Sequence, residues 1–192
     1  MPVTAAKSGI GDSVRRKEDL RLVTGRGSFS DDTRIAGEVH AVFVRSPHAH
    51  ARIRSIDKRR ALAVPGVLEV LTGKDLLADG LKPIPHKPLA IHPAEPKLAN
   101  RDGSPIFEGP HYPLAHDRAR HVGEAVAVVI APTVDIAKDG AEAVEVDYEG
   151  LPAVTATLAA AAPGAPRLWD NASSNVCFDG DLGSREATEA AF

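Results

Sequence analysis

An α/β fold, with helices packed on a mixed sheet, is what this sequence predicts, and three observations within one stretch predict it. Residues 125–131 are continuously apolar and rich in β-branched side chains, bracketed by Gly123-Glu124 and Pro132. That is the pattern of a strand buried on both faces. Ile136, Ala137, Gly140, Ala141, Ala143 and Val144 then recur at helical spacing, behind Thr133 as a candidate cap. The period changes to alternation through Val144, Val146 and Tyr148, which reads as a second strand. At least four strands are expected in all, with the central helix lying on the sheet that contains residues 125–131.

The remaining elements follow in order. Residues 1–19 are polar and aperiodic and read as an N-terminal arm. Gly25 and Gly27 mark a tight turn beside Phe29; with no strand before them, no helix after them and no Lys-Ser/Thr ending, they do not make a phosphate loop. Residues 38–46 alternate Val39, Ala41, Phe43 against His40, Val42, Val44, a strand buried on one face and half-buried on the other, and Pro47 ends it. In residues 51–57, Ile53 and Ile56 fall out of phase, which predicts a bulge or a short strand. Residues 58–64 read as one or two helical turns, capped by Asp57 and closed by Pro65-Gly66. Arg59 and Arg60 form their solvated face. Residues 67–73 are a further strand, followed by a short helical turn.

Residues 80–113 hold eight prolines and little periodicity, the mark of a long functional or partner-covering loop, or of disorder. His86, His92, His111, His116 and His121 fall in or just after it, at intervals that match neither a structural zinc site nor an HExxH helix. Asp117 and Glu124 flank a turn and read as a cap and a salt bridge. Gly140 marks a close helix-to-sheet approach or a weak helix. Beyond Val154 come an Ala-rich helical turn, a single large anchor in Trp169, and a helix beginning capped by Ser184.

Composition bounds the function. A chain of 192 residues fits one domain with an appendage. The formal charge of -3 gives no reason to expect nucleic acid or an anionic membrane. The single cysteine, Cys177, allows no intrachain disulfide and suits a reducing, cytoplasmic setting. No apolar run approaches the roughly 20 residues a membrane helix needs.

Taken in order, RRKEDLRLVTGRGSFSDD, VHAVFVRSPHAHARIRSID, ALAVPGVLEVLTGKDL, PLAHDRARHVGEAVAVVIA, DGAEAVEVDYEGLPAV and NVCFDGDLG with EAAF resemble the opening of the molybdenum-binding large subunit of the xanthine dehydrogenase / aldehyde oxidase / carbon monoxide dehydrogenase family. RSPHAHARI (Arg45 to Ile53) and VGEAVAVV (Val122 to Val129) carry most of the signal, and the wording looks closest to the bacterial carbon-monoxide-dehydrogenase-like branch. The resemblance implies an α/β hammerhead domain over residues 20–155, including the Pro/His-rich loop 80–113. It implies that residues 156–192 begin a molybdopterin-binding domain. In the complete subunit it implies molybdopterin (cytosine dinucleotide) with Mo, and 2Fe-2S and FAD in partner subunits or domains. The family's catalytic glutamate and pterin-cradling loops lie beyond the hammerhead domain, so the expectation for this chain is no catalytic, cofactor-binding or metal-ligating residue, and no activity alone. Ala125 stands where members usually have Pro, and His121 where they usually have Tyr or Phe. A second reading is a free-standing hammerhead module with a binding or assembly role.

Overall fold

The computed structural model of the protein describes residues 10, 16–85, 99–181 and 183–192. Two of the histidines singled out above, His86 and His92, lie outside the described residues. The chain divides into two compact units, Met1–Glu38 and Val39–Phe192. The described part of the first holds a short helix, α1 (Asp19–Val23), and a 3₁₀ turn (Ser30–Asp32). Gly25 takes a φ of 69°, as a tight turn requires, and the Asp32 carboxylate accepts the Phe29 N–H at 2.9 Å.

In the second unit six strands form two three-stranded sheets among the described residues. The first has the order β1 (His40–Arg45), β5 (Ala125–Ala131), β3 (Glu69–Thr72). The second has the order β4 (Arg118–Ala119), β2 (Ala51–Asp57), β6 (Glu145–Gly150). Every pairing is antiparallel. The α/β class holds; the strands divide between two antiparallel sheets, and the strand–helix–strand stretch spans both. The reason is simple: a strand has two edges, and both edges of β5 are taken by β1 and β3. Strand β6 therefore pairs with β2, from Ala51↔Gly150 to Asp57↔Glu145. The predicted bulge is present as a register shift between Ile53 and Ser55.

Helix α4 (Val134–Glu142) joins β5 to β6. Thr133 caps it, its hydroxyl accepting the Ile136 N–H at 3.3 Å. Fully buried Ala61, Val70 and Val129 pack with Val44, Val67, Ala141, Ala143 and Val144 into one core cluster, so α4 and α2 (Arg59–Leu62) cover the same face of the first sheet. A smaller cluster of Ile53, Ala115 and Val126 fills the space toward the second sheet. Burial on β5 is uneven: Ala127, Val129 and Ala131 are fully buried, whereas Val128 and Ile130 are half-buried. Those two share a face with Ala41 and Phe43, their direct partners on β1. Phe43 there keeps 46% of its surface exposed, and Leu68, whose N–H reaches Ile130, keeps 55%. The outer face of this sheet is thus apolar and open, against the expectation of burial on both sides.

The short helices close on predicted signals. Asp57 accepts the Arg59 N–H at 3.0 Å, and Gly66 turns the chain with φ 93°. Helix α3 (Gly73–Ala78) starts with a capping box between Thr72 and Asp75. Helices α5 (Thr157–Ala161) and α6 (Arg185–Ala191) are short and carry no buried residue; Ser184 caps the second by accepting the Ala187 N–H. No described helix is long and apolar enough to cross a membrane.

Candidate functional site: the junction of the RSPHAH and VGEA segments

The two most distinctive sequence segments meet. After β1 the chain leaves its sheet at Ser46, which is 2% exposed. Its N–H donates to the Glu124 carbonyl at 2.9 Å, and its carbonyl accepts the Gly123 N–H at 2.8 Å. The Arg45 guanidinium donates to the Gly123 carbonyl at 2.8 Å. Gly123 sits at φ 87°, a conformation that a side chain disfavours. A register shift between Val44 and Arg45 brings Arg45 opposite Ala125. The Ala125 carbonyl in turn accepts the Ala115 N–H at 2.8 Å.

Histidines of the first segment serve the same lock. His50, 6% exposed, meets the Pro152 carbonyl through Nδ1 at 2.9 Å, which ties the start of β2 to the chain after β6. The His48 ring tilts against Tyr148 at 4.9 Å. Burial raises the Tyr148 pKa; Ser46 lies near enough to oppose the rise, although the pair does not reach hydrogen-bond geometry.

Asp117 and Glu124 act as the sequence reading had them. The Glu124 carboxylate accepts the Arg120 N–H, bracing the turn into β5. Asp117 pairs with the Arg120 guanidinium at 3.2 Å. Burial would raise the Asp117 pKa, but the hydrogen bond and charge of Arg120 outweigh it and hold the carboxyl below its usual range. Sequence reasoning missed the role of the two arginines here. Arg120 stacks over the Trp169 ring, 3.8 Å from its centroid, and Arg118 forms a two-pronged pair with Asp170 at 3.0 and 2.7 Å. The signal lay in the side-by-side Trp169-Asp170 and the Arg118-x-Arg120 pattern, but nothing in the spacing joined them.

Of the described histidines, His116 packs edge-on to Tyr112 at 4.7 Å, and His121 is largely solvent-exposed, 3.7 Å from Glu124. Its exposure accounts for a polar ring at that position. Among the described residues no three His, Cys, Asp or Glu side chains stand together as metal ligands would. A cavity of about 240 Å³ beside the junction is lined by Phe43, Arg45, His111, His121 and Glu124 among others. Arg45, Asp117, Arg120 and Glu124 are thus engaged with backbone or with one another, and the arrangement positions segments.

Comparison with known proteins agrees with this architecture. The model of the family described as "Aldehyde oxidase and xanthine dehydrogenase, a/b hammerhead domain" matches residues 24–152. The carbon monoxide dehydrogenase large chain of Afipia carboxidovorans is 36% identical, over 96% of this chain and 22% of the relative. The nicotine 6-hydroxylase large subunit of Paenarthrobacter nicotinovorans is 37% identical, over 80% and 17%. Among solved structures, quinoline 2-oxidoreductase from Pseudomonas putida 86 superposes with a TM-score of 0.68 at 40% identity, covering 85% of this chain and 19% of that one. CO dehydrogenase from Oligotropha carboxidovorans gives 0.67 at 32% identity, covering 96% and 22%. The chain therefore spans 22% of the length of the carbon monoxide dehydrogenase large chains it matches. It belongs to the aldehyde oxidase and xanthine dehydrogenase family, of which it carries the hammerhead domain.

Proposed function

We propose that this chain is the structural, hammerhead portion of a molybdenum-dependent hydroxylase or dehydrogenase large subunit, an oxidoreductase only as part of the complete subunit and complex. One observation carries the reading: the segments that define the family here, Arg45 to Ile53 and Val122 to Val129, are spent on locking strands together. In that complex the cofactor is molybdopterin (cytosine dinucleotide) with Mo, and electrons leave through partner subunits or domains carrying 2Fe-2S and FAD. On this reading the cofactor is held by the molybdopterin-binding part of the complete subunit. Residues 156–192 lead, on this reading, from the hammerhead domain (20–155) into the molybdopterin-binding part. A sole cysteine, Cys177, is in keeping with a cytoplasmic complex.

Metal analysis of the purified chain tests the reading. No stoichiometric molybdenum is expected; one atom per chain would overturn it. The alternative, a free-standing module, is disfavoured by the open apolar face around Phe43 and Leu68.

A further inference from the structure

Two stretches without sheet structure, a loop (residues 99–109) and a strap (residues 166–179), are bonded to each other. The loop directs its polar groups at the strap: the Arg101 N–H donates to the Asp179 carbonyl at 2.8 Å and the Phe107 N–H to the Cys177 carbonyl at 3.1 Å. The Asp179 N–H returns to Asn100 Oδ1 at 3.0 Å, and the Arg101 guanidinium pairs with the Asp179 carboxylate. Gly109 lies against the Trp169 indole so closely that a Cβ would come within 2.8 Å of it. The strap has its own organiser in Asn175, which accepts the Leu168 N–H and donates to the carbonyls of Ala160 and Pro166.

This pair is seated on the second sheet by two side chains. Arg118 grips the Asp170 carboxylate with both terminal nitrogens, and Arg120 lays its guanidinium on Trp169. Both arginine side chains are only 15% exposed, which strengthens a cation–ring contact relative to one in water. The family model ends at residue 152, so the strap lies outside the stretch by which this domain is recognised.

We infer that residues 99–109 and 166–179 form one interdependent module, latched onto β4 and its following turn by Arg118 and Arg120. The ordered part of this domain then runs through Asp179 and does not stop at the end of β6, with the module opening as a unit of its own. Release of the latch opens the strap and the loop together and leaves the first sheet intact.

Hydrogen exchange on the full chain, read by peptide, compares wild type with Arg120→Gln and with Trp169→Ala. Peptides covering 99–109 and 166–179 should both exchange about tenfold faster in the variants, with β5 unchanged. Acceleration of the strap alone, equal acceleration of β5, or no change anywhere each overturns the inference. Trp169 is the only tryptophan, so its emission reports the latch in the unmodified protein. Its denaturant midpoint should fall below that of the far-UV signal of the sheets, and coincident midpoints would count against a separate latch.

Discussion

Gly140 faces Val129 where helix α4 touches the central strand: a Cβ on Gly140 would stand 2.8 Å from Val129 Cγ1 and equally close to Val67 Cγ2. Gly140→Ala gains about 1 kcal/mol of helix propensity. It also overpacks buried Val129 and half-buried Val67, which costs about 1–3 kcal/mol. Packing is expected to win, with a net loss of about 1 kcal/mol in denaturant melts. A more stable variant would show that α4 rides freely over the sheet.

The two faces of β5 should respond differently. Val129 is fully buried beneath α4, and Val129→Ala should cost about 2 kcal/mol. Val128 is half-buried on the open face, and Val128→Ala should cost about 1 kcal/mol or less. Equal losses would contradict the asymmetry.

Asp75 is a hub: its carboxylate accepts the Thr72 N–H and hydroxyl at 2.8 Å each, and Lys58 Nζ at 3.1 Å. Burial opposes the charge, but these bonds hold the pKa below the ordinary 3.8. A depressed folded pKa gives stability that is present above 3.8 and is lost as pH falls through the folded value. Asp75→Ala should therefore cost about 1–2 kcal/mol at pH 7 through the lost cap, with the gap to wild type closing below pH 3.8. A gap that persists into strong acid would argue against the carboxylate as its source.

Asp57 offers a direct titration. Hydrogen bonds from the Arg59 side chain and backbone, with the nearby arginine charges, lower its pKa to about 2. Carboxyl chemical shifts followed by NMR should give that midpoint in wild type and a value nearer 3.8 in Arg59→Gln.

Phe43→Ser combined with Leu68→Ser should reduce the binding of a hydrophobic dye at the cost of a modestly lower melting temperature, because each side chain keeps about half of its surface in solvent. Unaltered dye binding would place the sticky surface elsewhere.

Period and punctuation made much of this fold legible. The run 125–131, the Thr133 cap, the bulge after Ile53 and the Ser184 cap are local signals, each set by a few neighbouring side chains, and each stands where it was expected. Sheet membership is not local. Nothing between Ala125 and Gly150 records that both edges of β5 are occupied by strands from far up the chain. The same holds at the junction. Glu124 and Asp117 could be read as cap and ion pair, but the stacking of Arg120 on Trp169 joins side chains with no shared periodicity.

Among the described residues no strand pairing joins neighbours in sequence: β1 and β3 both await β5, and β2 awaits β4 and β6. During synthesis, at about 5–20 residues per second, the first three strands therefore emerge several seconds before any ladder can form. His40 must wait for Ala131, and Ala51 for Gly150. The valine-rich segments spend that interval as unpaired edges, open to association with other nascent chains.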